Sequence, residues 1–236
     1  MRVFLTTVFA LFSIYSLRAQ TFLYLDKTNP EEIRPATTAY IDTLDEGIRM
    51  HLIRHSEEKE IDEIIVVDSL YNTKKWIYRN PNINTDLSAV RSDEKIVVRG
   101  IRRGEQIEEE FHIGHDTWNQ AFPYDMAGFI RSGKSKRIFR AIGAARPGEI
   151  KIGKFKAVKK DKTVLGLDCG DQAAVRVEMS LTGALSMFWK GSYWFRPSDG
   201  RYLRFEGKIG GPGSERRITE FAGEGKKVEQ GGADRL

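Results

Sequence analysis

Apolar residues recur at every second position along most of this chain, and that period fixes the fold class before any other feature does. In Gly47–His55, Ile48, Met50 and Leu52 fall on one side, with Arg49, His51 and Ile53 on the other. Ala173–Leu181 repeats the pattern, setting Ala173, Val175, Val177 and Met179 against Ala174, Arg176 and Glu178. Ile61–Val67 and Glu94–Ile101 crowd β-branched residues between turn formers, and Phe188–Arg196, Gly200–Lys208 and Glu215–Ala222 complete the set. Side chains two apart share one face of a strand, so these segments read as half-buried strands. Breaks at Asp45-Glu46-Gly47, Arg102–Glu105, Lys160-Asp161-Lys162, Pro197–Gly200 and Gly210–Gly213 are short enough for hairpins. About ten strands then follow one another as an antiparallel meander, and an open sheet of that size must curl or close to protect its edges. The expected fold is all-β and mainly antiparallel, a strongly curved meander sheet or incomplete β-barrel.

One stretch breaks the period. In Thr117–Ile130, Phe122, Met126, Phe129 and Ile130 lie at i, i+4, i+7 and i+8, an apolar stripe that suits a short helix lying on the sheet. The expectation is one short helix on the concave side.

The first residues carry an address. Met1-Arg2 precedes an apolar run from Val3 to Tyr15, then Leu17-Arg18-Ala19-Gln20. A basic start, a short apolar core and a small residue before a polar one are the parts of a secretory signal peptide. The run is shorter than the ~20 apolar residues of a membrane-spanning helix. The domain reading is therefore a signal peptide at 1–19, one domain at 20–222 and a disordered Gly-, Lys- and Glu-rich tail at 223–236. The working chain is expected to be exported, periplasmic or secreted, without a transmembrane anchor. Its formal charge of +5 becomes +3 once Arg2 and Arg18 are removed. Cations and acids are interspersed with no basic stripe, which argues against a nucleic-acid partner. The single cysteine, Cys169, allows no internal disulfide, so the fold must stand on its core.

Chemistry is sparse. His112-Ile113-Gly114-His115-Asp116 is the one histidine cluster, and two histidines with a carboxylate would serve a metal-dependent hydrolase. Residues three apart on a strand face opposite ways, however, and Gly114 marks a strand end, so solvated side chains are the plainer reading. His51 and His55 lie about 13 Å apart along a strand and cannot chelate together. Cys169 sits in Asp168-Cys169-Gly170-Asp171 with no histidine nearby to lower its pKa, which points to a buried or half-buried free thiol. No Gly-x-Ser-x-Gly elbow or phosphate-binding glycine loop is present. No cofactor or metal is expected.

The remaining candidate is aromatic: Phe188-Trp189-Lys190-Gly191-Ser192-Tyr193-Trp194-Phe195, with Trp118, Phe122, Tyr124 and Phe129 earlier. Alternation puts Phe188 and Trp194 on one face and Trp189, Tyr193 and Phe195 on the other. Such residues are either core beneath a helix or the lining of an apolar cavity in a curled sheet. The cavity reading makes Trp118, Phe122, Phe129, Phe188, Trp189 and Trp194 the ligand-binding set.

The run Trp118…Phe122-Pro123-Tyr124…Phe129–Gly133, the strand pair around Lys154–Leu167, Val175–Leu181, Phe188-Trp189…Tyr193-Trp194, Asp199–Gly207 and Gly210–Gly213 resembles a family of exported bacterial β-proteins catalogued as a domain of unknown function. That family is similar in shape to the periplasmic lipoprotein carriers. The resemblance covers residues 40–222 and implies a curved antiparallel sheet or incomplete barrel with helical material on its concave side and no catalytic residue. The carriers' cavity receives acyl chains, but only one of the several helices that cover it is found here, which leaves hydrophobic-ligand binding or an envelope-structural role. The functional expectation is a non-enzymatic cell-envelope protein that binds a lipid or other hydrophobic ligand. A carbohydrate-binding module, or a structural or protein-interaction module of the envelope, is the alternative.

Overall fold

The computed structural model describes residues 20–146, 149–183, 189–208 and 214–225. The expected signal peptide, Phe188, the Gly210–Gly213 turn and most of the tail lie outside the described residues.

Among the described residues the fold is mainly antiparallel β, one sheet of fourteen strands with a single short α-helix. Its first half comprises β1 (Gln20–Asp26), β2 (Arg34–Leu44), β3 (Gly47–Arg54), β4 (Ile61–Val67), β5 (Thr73–Asn80), β6 (Thr85–Ser92), β7 (Lys95–Arg102) and β8 (Glu105–His112). The second half comprises β9 (Lys136–Arg146), β10 (Glu149–Leu167), β11 (Gly170–Leu181), β12 (Lys190–Phe195), β13 (Tyr202–Lys208) and β14 (Arg216–Glu224). Strands pair with their sequence neighbours from β1 to β8 and again from β9 to β14, while β14 pairs with β1. The sheet is therefore a meander whose opening lies between β8 and β9 instead of at the chain ends, and it is not closed.

Alternation places the core as expected in most strands. Met50 and Leu52 of β3, Ile65 and Val67 of β4, and Val175, Val177 and Met179 of β11 are all buried. Two details differ. The Lys160-Asp161-Lys162 hairpin does not exist: β10 runs straight through it, and the register against β11 slips between Lys159 and Lys162. A bulge there places one strand residue out of step; beyond it Ala174 is buried and Ala173 exposed, the reverse of the simple alternation. The turn falls at Asp168-Cys169, a segment whose sequence also reads as a turn, and Cys169 there is exposed, not buried or half-buried. At the other end, β14 extends through Glu224, past the expected domain limit at 222.

One hydrophobic cluster joins Phe22 of β1, Val98 of β7, Phe139 of β9 and Phe195 of β12 to Trp118 and Met126 of the segment between β8 and β9. Strands that far apart in one sheet share a core only if the sheet curls around that segment. The segment, residues 113–135, forms a plug on the concave side and holds a 3-10 turn at Tyr124–Met126 and α1 (Ala127–Arg131). Met126, Phe129 and Ile130 are buried, so the apolar stripe does face the sheet.

Hydrogen bonds fix the plug on both halves. The Thr73 amide donates to the Trp118 carbonyl at 2.8 Å, and the Asn119 amide to the Arg140 carbonyl at 2.9 Å. Asn119 Nδ2 donates to the Tyr71 carbonyl at 2.8 Å. Gln120 Oε1 accepts from the Ile142 amide at 2.8 Å and from Trp118 Nε1 at 3.0 Å. Lys159 of β10 caps α1, donating to the carbonyls of Ile130 at 3.0 Å and Ser132 at 2.6 Å; a cation at a helix C-terminus meets its unpaired carbonyls.

Candidate functional site

Antiparallel alternation sends the turns at 45–46, 68–72, 93–94 and 196–201, together with the start of β1, to one rim of the sheet. The plug enters from that same rim. Between plug and wall lies a cleft of about 230 Å³. Phe22 from β1, Ile41 from β2, and Ile48 and Met50 from β3 make its apolar wall. Tyr124, Ala127 and Arg131 of the plug face them, and Tyr71 and Asp199–Tyr202 close the sides.

Close packing defines its depth. Gly200 has φ +77°, and a Cβ there would lie 2.5 Å from Ala127 Cα and 2.7 Å from its Cβ. Only glycine lets the β12–β13 turn rest on the first residue of α1. Below, Tyr24 stacks on Tyr202 at 5.1 Å and meets Tyr124 edge-on at 5.4 Å, and its hydroxyl donates to the Tyr202 carbonyl at 3.2 Å.

Two guanidinium groups stand at the mouth in different electrostatic states. Arg201 lies 4.1 Å over the Phe22 ring and is neutralised by Glu224 at 2.5 Å and Asp199 at 3.7 Å. Asp199 is partly buried, which works against its ionisation, but bonds from Arg196 and the Arg201 amide win and hold its carboxyl below the usual range. Arg131 lies 5.5 Å from the Tyr71 centroid and is exposed, and among the described residues it has no carboxylate within 4 Å. The cleft thus offers an apolar wall and one unbalanced positive charge. Its polar lining consists of Gln20, Asp199, Arg131, Arg201 and the tyrosines Tyr24, Tyr71, Tyr124 and Tyr202.

A second hollow on this rim, about 330 Å³, is polar and lined by Asp68, Asn72, Lys74, Arg91, Asp93, His115 and Thr117. Asp68 there is spent on structure, accepting from the amides of Leu70 and Asn72 at 2.9 Å each.

The sequence candidates are scattered. Trp118 is fully buried and Phe129 nearly so, both packing the plug against the sheet. Phe122 and Trp189 are half-buried in a ring cluster with Phe139, Phe155 and Tyr193 at centroid distances of 5.6–6.3 Å. Trp194 lies on the convex face, opposite buried Tyr193 and Phe195, with Arg204 5.8 Å over its ring. None of these five lines the cleft, and Phe188 is outside the described residues. His112 and His115 each come within 3.4 Å of Glu94, while Asp116 is held by Arg140 at 2.8 Å and Lys154 at 3.5 Å. Among the described residues no group of three or more His, Cys, Asp or Glu could hold a metal ion. His51 bonds Asp62 at 2.6 Å, and His55 bonds Thr38 at 2.9 Å and Glu60 at 3.1 Å.

The cleft residues Ile41, Tyr71, Arg131 and Arg201 escaped the sequence reading as binding candidates. The Ile48–Met50 face was visible in the alternation, but its partners come from remote parts of the chain.

Compared with protein-family models, with curated proteins and with solved structures, the chain matches none. Among the described residues no helix is long and apolar enough to cross a membrane.

Proposed function

We propose that this is an exported, non-catalytic binding protein of the cell envelope, and that its rim cleft holds the hydrocarbon segment of an anionic amphiphile. The observation that carries this reading is the pairing of the Phe22–Ile41–Ile48–Met50 wall with the unbalanced guanidinium of Arg131. Each methylene removed from water by such a wall is worth about 0.8 kcal/mol. A cleft of 230 Å³ is smaller than the ~300–1,000 Å³ of drug-sized pockets, so it suits a single short chain or the end of a longer one. The signal-like first nineteen residues support the export part of the proposal.

Calorimetric titration with dodecanoate tests the proposal. The parent chain should bind, Ile48→Trp should fill the cleft and weaken binding at least tenfold, and Arg131→Glu should do the same for dodecanoate but not for dodecylamine. Equal affinity in all three proteins would refute it.

A further inference from the structure

The opening between β8 and β9 also divides the charge. Residues 20–112 carry 13 Lys and Arg against 19 Asp and Glu, whereas residues 113–236 carry 23 against 14. A net charge that is small overall is thus the sum of an acidic half and a basic half, a polarity large enough to orient the molecule on a charged surface. Five cations of the basic half lie together on the convex side of β9 and β10. Register sets Lys136 beside Val158, Ile138 beside Lys156 and Arg140 beside Lys154, all opposite the buried face of Phe139 and Ala157. Lys160 follows at the start of the bulge, near Glu178 on the same face. Asp116 answers Arg140 and Lys154, and Glu178 lies 4.0 Å from Lys160. Lys136 and Lys156 have no carboxylate within 4 Å among the described residues. Between them Ile138 is 40% exposed, a large apolar side chain in a ring of cations.

We propose that this convex patch docks the protein on an anionic lipid bilayer, with the lysines against acidic headgroups and Ile138 at the interface. A second copy of the chain is the poorer partner, because two of the four β8 glutamates are already paired, Glu108 with Arg99 at 2.7 Å and Glu110 with Lys95 at 2.6 Å. Lysines near an anionic leaflet each add about 1 kcal/mol, an attraction that salt screens.

The test is co-sedimentation of the protein, in the form its producing cell makes, with vesicles of equimolar phosphatidylglycerol and phosphatidylcholine, or of phosphatidylcholine alone. The parent should partition onto the anionic vesicles and release when salt is raised to about 0.5 M. Combined Lys136→Glu, Lys156→Glu and Lys160→Glu should lower the partition coefficient at least tenfold. Combined Lys59→Glu, Lys75→Glu and Arg103→Glu, exposed on the acidic half, changes net charge equally and should leave it within about twofold. Circular dichroism confirms that both triple variants fold. Equal loss in both variants, binding indifferent to phosphatidylglycerol, or no binding by the parent would each overturn the proposal. So would lysine-dependent self-association in place of vesicle binding.

Discussion

Asp125 shows how one buried residue sets the pH response of the plug. It is fully buried on the 3-10 turn, where Oδ2 accepts from the Ala121 amide at 3.1 Å and Oδ1 has no partner. Asn119 Oδ1, from the same segment, is equally unpartnered. Burial pushes the Asp125 carboxyl up to about 7, outweighing the nearby Arg137 guanidinium. A carboxyl whose folded pKa exceeds its unfolded value binds more protons when folded, so its favourable contribution is complete below about pH 4 and is lost as pH rises through about 7. Asp125→Asn, which removes the charge at constant shape, should leave stability at pH 4 nearly unchanged and raise it by about 1–3 kcal/mol at pH 8; urea unfolding at both values checks this. Gly200→Ala should cost about 2 kcal/mol or more in the same assay, because its Cβ would overlap Ala127 at a positive φ. Glu63 is buried and accepts from Trp76 Nε1 at 2.8 Å and from Arg54 at 2.6 Å. Glu63→Ala should cost about 2–4 kcal/mol, less than a wholly buried pair because the Arg54 side chain keeps solvent contact.

Among elements, α1 is the least able to stand alone, since five residues fall far below the ~12–15 at which an isolated helix becomes marginal. Its stability is borrowed from Lys159, which caps its end and lies 4.8 Å over Phe129. Lys159→Met should cost about 1–2 kcal/mol and speed amide exchange at Ser132, whose N–H bonds the Gly128 and Phe129 carbonyls, while amides of β3 and β4 stay unchanged. Legibility in the sequence follows the same physics. β3, β4 and β11 were readable because one face of each meets the core, so apolar and polar residues alternate. The edge strand β8, with Ile107 and Phe111 as its apolar residues, leaves little pattern to read. β10 reads as two strands broken at Lys160-Asp161-Lys162 because a charge run on an exposed, bulged strand carries the composition of a turn.

At the scale of the whole molecule, the curved antiparallel sheet and its single helix were legible, and the cleft was not. Local alternation shows that an aromatic is covered, but not whether a neighbour or a ligand covers it, so Trp118 and Phe129 looked like lining and are packing. The cleft needs Phe22, Ile48, Arg131 and Arg201 together, and the pairing of β1 with β14 is what joins them. No local pattern encodes a contact across that much chain. This topology also places the opening of the sheet between β8 and β9, so the plug that connects the two edges also walls the cleft. The central claim, that the cleft holds an anionic amphiphile, is tested most directly by native mass spectrometry of the parent and Ile48→Trp, each purified from the producing cell's envelope. The parent should carry one bound mass, released by organic solvent and identified as an acidic amphiphile, which the variant lacks. An empty parent, or the same mass on both proteins, would contradict the claim.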